Sequence, residues 1–266
     1  MPTVNLGSQD VHYIERGAGD TLLIFPDNMH AATAYEAEIA YFSERFHVLS
    51  FDMPGSGGSS REVLYPDEVA FDPWNCAADY ACHILQELGK SECYALGTGL
   101  GALPVLHLAG KQAALHRIEV RAAIADSFLS DLDGRTLHRW LDVREHYLVR
   151  RVQWMAEQHG DDWRDVVDAD TAFLRNIADH GGYEMPEGVL NSIACPILLT
   201  GNLNDAVTPG IAAQFARLAA IIPDCAIHLA SRSGHRYADE HPLLHTAPGK
   251  FRTVADLFLA GWQVKE

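Results

Sequence analysis

What the 266-residue chain lacks narrows its reading first. It lacks paired cysteines. The five, Cys76, Cys82, Cys93, Cys195 and Cys225, are odd in number and none has C-x-x-C spacing, which argues against a disulfide framework or a zinc site. Scattered thiols of this kind behave as small buried hydrophobes in a reducing compartment. It also lacks positive charge. Lys and Arg number 20 against 36 Asp and Glu, for a net charge of −16. Nucleic-acid binders need clustered basic residues, so no nucleic-acid partner is expected, and an anionic membrane surface is equally unsuited. No apolar run is long enough to cross a bilayer. The start, Met1 to Leu6, has no basic segment leading into an apolar one, so no signal peptide is read. The expectation is a soluble cytoplasmic protein with a small-molecule partner and neither metal nor cofactor; its oligomeric state is not legible.

What is present is core. Hydrophobic residues make up 48% of the chain. Short apolar strand signals alternate with amphipathic helix signals, the pattern of an α/β fold with a mostly parallel central sheet flanked by helices. Strands are predicted at Val11–Arg16, Thr21–Phe25, His47–Phe51, Glu92–Leu96, Val120–Ala125, Pro196–Thr200 and Ala226–Leu229. Helices are predicted at Ala34–Phe46, around Ala77–Leu88, and at Leu100–Ala109, Ile211–Ile222 and Phe251–Ala260. From about Ser127 to Ala194 strand signals stop, and tryptophan, histidine and charge take over. This predicts a helical lid at 127–194 that interrupts a core made of 1–126 and 195–266.

The chemistry-bearing positions follow the strands. Gly97-Thr98-Gly99-Leu100-Gly101 joins a strand to a helix and has the spacing of a G-x-S-x-G nucleophile elbow, with Gly99 at its centre. Asp205 ends the loop after the Pro196–Thr200 strand, and Ser233-Gly234-His235 follows the last strand. With Leu22 to Asn28 and Phe51-Asp52-Met53-Pro54-Gly55-Ser56-Gly57-Gly58-Ser59, these segments resemble the α/β-hydrolase family, especially its lid-bearing, esterase-like branch. The resemblance maps the family's triad acid onto Asp205, its histidine onto His235 and its nucleophilic serine onto Gly99. It implies oxyanion-hole amides at Asn28 and Leu100. The family's usual His-Gly after the third strand is here Pro26-Asp27. Asp27, Met29, Thr98, Asp126 and Ser127 are candidate pocket residues. Asp126 and Ser127 also read simply as a strand end and a helix cap, and Thr98 as a packing residue.

Glycine offers no oxygen, so an acyl-enzyme cannot form at position 99. A His–Asp pair remains a competent general base, an effect of about 100- to 10,000-fold. Three readings stay open. One is a non-covalent enzyme that uses His235 and Asp205 for hydrolysis, C–C cleavage, lyase chemistry or cofactor-free oxygenation. The second is a non-catalytic binding protein. The third is an esterase-type hydrolase whose serine has been replaced. The flanking glycines also lead to the expectation that Gly99→Ser fits sterically.

Overall fold

A computed structural model describes residues 2–7, 9–61, 72–111, 118–231 and 242–261. The strands are β1 (Thr3–Leu6), β2 (Gln9–Arg16), β3 (Thr21–Phe25), β4 (His47–Phe51), β5 (Glu92–Thr98), β6 (Glu119–Asp126), β7 (Asp131–Asp133), β8 (Gly182–Glu184), β9 (Ile197–Asn202) and β10 (Cys225–Ala230). Eight of them form one sheet in the order β1-β2-β4-β3-β5-β6-β9-β10. β2 runs antiparallel to β1 and β4; from β4 to β10 every pairing is parallel.

The helices are α1 (Glu36–Phe42), α2 (Pro73–Glu87), α3 (Ala102–Gly110), α4 (Gly134–Val149), α5 (Val152–His159), α6 (Trp163–Asp179), α7 (Glu187–Ser192), α8 (Ile211–Ile221), α9 (Leu243–Thr246) and α10 (Pro248–Ala260). Side chains alternate across a strand, so a central strand feeds two cores. Leu23 and Phe25 of β3 pack with Leu85 of α2, Leu103 of α3 and Phe215 of α8. Leu22 and Ile24 pack on the opposite face with Ile39 of α1 and Phe251 of α10. Each such fully buried side chain contributes about 1.5–3 kcal/mol.

Four differences from the sequence reading have local causes. β1 was not expected; it is an edge strand of four residues with no fully buried position, too short for its alternation to stand out. The predicted helix 34–46 is a 3₁₀ turn, Ala32–Tyr35, followed by α1, which stops at Phe42. The chain then turns so that Phe46 drops into the core. α2 begins earlier than predicted, at Pro73, because Asp72 caps it by accepting the Asn75 N–H at 3.0 Å. Segment 127–194 carries α4 to α7, but it is not strand-free: β7 and β8 form an antiparallel pair of three residues each, apart from the main sheet.

Parallel strands deliver their following loops to one edge of the sheet, where ligands bind in this architecture. Asp27 lies just past β3, Gly99 just past β5, Ser127 just past β6 and Asp205 just past β9.

Candidate active site

The turn after β5 is sharp because glycine permits it. Gly99 has φ of 55°, a left-handed conformation that costs glycine nothing. Gly101, two residues on, lies against the Pro26 carbonyl, so closely that a Cβ there would collide with backbone. That approach brings the end of β3 and the start of the following helix together.

The contact that results is the centre of the site. The Asp27 carboxylate reaches across from the β3 loop, and its Oδ1 accepts the Leu100 N–H at 2.7 Å. The same oxygen accepts the Asn28 N–H at 2.7 Å. The two amides that the resemblance assigns to an oxyanion hole thus converge on one point, and an aspartate oxygen occupies it. The carboxylate also fills the volume a side chain at 99 would need: a Cβ built on Gly99 falls within 3.0 Å of Asp27 Cγ and both carboxyl oxygens. The expected steric tolerance of Gly99→Ser is therefore corrected. The glycines leave room, but Asp27 uses it.

The Asp27 loop is tied down from below and above. Below, the Asp27 N–H donates to the Tyr35 hydroxyl at 2.8 Å. Burial, and then the Asp27 charge, push the Tyr35 phenol well above its ordinary pKa, so it stays neutral. Buried Asp52, after β4, accepts from the Ala32 N–H at 2.7 Å, the Gly58 N–H at 2.7 Å and His12 Nδ1 at 2.6 Å. This pins the β3 and β4 loops to each other. Above, the inserted helices grip the loop. Asn28 Nδ2 donates to Asp170 of α6, which also pairs with Arg144 of α4. The His159 ring accepts the Gly57 N–H through Nδ1 at 2.9 Å and donates through Nε2 to the Met29 carbonyl at 3.0 Å. Met29 itself has φ of 59°, rare for a non-glycine residue.

Two cavities meet at Asp27, Asn28, Met29, His30 and Leu100. One, of about 100 Å³, lies between the β3 and β4 loops, α2 and α6. The other, of about 190 Å³, has Gly99 in its lining. Its walls are Phe128, Leu129, Leu141, Leu174 and Val207, with Trp140, Arg144 and Thr208 as polar points.

The remaining predicted residues separate. Ser127, with φ of 53°, lines the larger cavity and accepts the Leu243 N–H at 2.8 Å. Thr98 and Asp126 lie beneath the floor, fully buried, and line neither cavity. Asp126 accepts from the Thr200 hydroxyl at 2.6 Å and the Leu244 N–H at 3.1 Å, so it anchors the chain where it returns at Pro242. Asp205 is buried on the β9 loop and accepts the Val207 N–H at 2.8 Å. His235 lies outside the described residues.

Sequence reasoning placed Asp27 only in a pocket wall, and it missed Asp170, Arg144 and Tyr35. A signal for two of these existed. Leu137, Leu141, Arg144 and Leu148 share one face of α4, and Val167, Asp170 and Leu174 one face of α6. A charge on each apolar stripe marks a buried pair.

The chain matches the Alpha/beta hydrolase family over residues 17–244. It belongs to that family. Over 96 residues it is 40% identical to the (E)-2-((N-methylformamido)methylene)succinate hydrolase of Acinetobacter baylyi, a match spanning 36% of this chain and 34% of the relative. Among solved structures it resembles E-2-(acetamidomethylene)succinate hydrolase, with a TM-score of 0.71 and 17% identity, covering 97% of this chain and 98% of the other. The enol-lactonase of Burkholderia xenovorans LB400 superposes with a TM-score of 0.69 and 17% identity, covering 97% of this chain and 100% of the other. At such identity these two likenesses speak for the fold.

Proposed function

We propose that this hydrolase-family protein transforms a small molecule without an acyl-serine, in the cavity beneath the inserted segment 127–194, which serves as a lid. His235 is its general base and Asp205 orients that base. The observation that carries the reading is the Asp27 carboxylate standing where a side chain at 99 would stand, with its Oδ1 on both amides. A substrate acyl oxygen has no access to those amides while Asp27 holds them, so serine-type acyl transfer is disfavoured twice, by the missing hydroxyl and by the filled hole. The same geometry argues against a serine merely replaced in an otherwise ordinary esterase, since serine and this Asp27 rotamer compete for one volume. Of the chemistries open to a His–Asp base, hydrolysis is favoured, because the named relatives are hydrolases.

The test is turnover of a panel of small esters, lactones, enamides and alkyl halides by the purified chain and by His235→Ala and Asp205→Asn. His235→Ala should abolish turnover, and Asp205→Asn should reduce it strongly through the wrong imidazole tautomer. Turnover unchanged in His235→Ala refutes the general-base role. Ligand binding with no turnover across the panel supports the second reading, a non-catalytic binding protein, which the occupied hole also favours.

A further inference from the structure

Resting on the reading that the larger cavity holds the substrate, we propose that this cavity selects a neutral carbonyl compound with an apolar body, and that Trp140, Arg144 and Thr208 are the residues that select it. With Asp27 on the Leu100 and Asn28 amides, a substrate carbonyl must find its donors elsewhere. The cavity wall holds them. Trp140 and Arg144 stand four residues apart on α4, on one side of the helix. Thr208 comes from the core, on the loop between β9 and α8. All three line the larger cavity. Trp140 Nε1, Arg144 Nε and the Thr208 hydroxyl are buried, and none has a hydrogen-bond partner among the described residues. Arg144 as a whole is only 8% exposed. Buried polar groups in folded proteins are normally paired, and an unpaired donor costs stability until something supplies an acceptor. Unpaired donors around one cavity therefore describe the ligand that pairs them.

The charge balance sets the class of acceptor. Among the described residues, the ionisable groups in the wall are Asp27, His30 and Arg144. Arg144 is already matched by Asp170, so with His30 neutral the Asp27 carboxylate stands in excess. A ligand carboxylate would bring a second anion with no spare cation to meet it, and desolvating an unmatched charge is costly. A carbonyl oxygen accepts the same hydrogen bonds and carries no net charge. The walls set the rest of the ligand. They are largely aliphatic and aromatic, Phe128 and Leu174 among them, around a space of about 190 Å³. A dry apolar cavity of about 150 Å³ takes benzene, so a ring with a carbonyl group attached suits this one. Because α4 belongs to the inserted segment and Thr208 to the core, such a ligand also ties the two together.

The experiment is calorimetric titration of the full chain at neutral pH with two matched pairs of probes. Acetophenone and ethylbenzene are close in shape and differ in the carbonyl; benzamide and benzoate differ in charge. Acetophenone should bind about tenfold or more tighter than ethylbenzene, and benzamide about tenfold or more tighter than benzoate. Trp140→Phe and Thr208→Val each remove one donor and keep the shape of the wall; Arg144 stays, since its loss would strand Asp170. Each variant should weaken acetophenone about tenfold and leave ethylbenzene unchanged. Each should also melt no lower than the parent, because an unpaired polar atom has gone. Benzoate binding as tightly as benzamide overturns the neutral class. Ethylbenzene binding as tightly as acetophenone, unchanged acetophenone affinity in both variants, equal losses for both probes with lowered melting, or no binding by any probe overturns the role of the donors. Binding and catalysis separate cleanly. Carbonyl-selective binding without turnover across the panel leaves this proposal standing and removes the enzymatic reading, whereas turnover without that selectivity does the reverse.

Discussion

Adding a side chain at Gly99 should damage the protein through Asp27, and the size of the effect can be worked from the contacts. The atoms that a new Cβ meets within 3.0 Å are Asp27 Oδ1, Cγ and Oδ2. Gly99→Ser must therefore evict the carboxylate from the Leu100 and Asn28 amides. Hydrogen bonds to a charged group contribute about 1.5–3 kcal/mol each when buried. Asp27 is only half-buried and its displaced carboxylate regains water, so about 2 kcal/mol is a fair loss for the pair. A non-glycine residue at φ of 55° adds about 1 kcal/mol. The sum, about 3 kcal/mol, lowers the melting temperature by about 6–12 °C for a chain of this size. In an Asp27→Ala background the colliding atoms are gone, and only the backbone cost of about 1 kcal/mol remains. Thermal melts of the two single variants and the double should therefore show a coupling of about 2 kcal/mol. Fluorophosphonate labelling should be absent in the parent and strongest in the double variant, where a serine faces an open pair of amides. Equal melting losses for Gly99→Ser in both backgrounds would refute the account, since the clash would then lie elsewhere.

Three further outcomes follow from the site's supports. Burial holds the His159 imidazole below its ordinary pKa. Between that lowered value and about 6.5 the unfolded chain binds a proton that the native chain refuses, so stability should fall as pH drops through this window. Melting curves of His159→Gln should lose most of that slope, and an unchanged slope would assign it to other groups. Asp52→Ala removes three hydrogen bonds and should cost about 3–5 kcal/mol in denaturant unfolding; a cost under about 1 kcal/mol would show that the β3 and β4 loops are held without it. Burial pushes the Cys82 thiol up to about 12 and Cys225 to about 11, so neither should react appreciably with a maleimide at neutral pH until the chain is unfolded.

The frame of the fold was legible because it rests on short-range pattern. Thr21–Phe25 and Ile197–Asn202 are continuous apolar or small runs, and every residue in them is buried. The elbow was legible too, since Gly97, Gly99 and Gly101 each answer a local steric need. The occupancy of the hole was not. Asp27 and Leu100 are 73 positions apart, and nothing in either segment alone says that a β3-loop carboxylate will lie on the amide of a β5-loop residue. The grip of the inserted helices was half legible, through Arg144 and Asp170 on otherwise apolar stripes. The pairing of those two charges with each other and with Asn28 depends on how α4 and α6 cross, which spacing does not encode. β7 and β8 were lost for another reason: three residues are too few to display a period of two.

The places where local rules are broken converge on one volume. Met29 and Ser127 are the non-glycine residues with positive φ among the described residues, and each such backbone costs about 1–3 kcal/mol unless its surroundings enforce it. Both line the larger cavity, as do Gly99 in its left-handed turn and Arg144 on an apolar helix face. Each is held by contacts that lead away from the cavity: Met29 by His159, Ser127 by Leu243, Arg144 by Asp170. Stability alone gives no reason to place strain and a buried ion pair around one empty space, because apolar packing of the same volume is often neutral or better. A precise arrangement of Asp27 does give a reason. The strained Met29 backbone follows directly after Asn28, whose amide holds the carboxylate, and Arg144 acts on the same loop through Asp170. These features thus converge on holding the Asp27 carboxylate against the Leu100 and Asn28 amides.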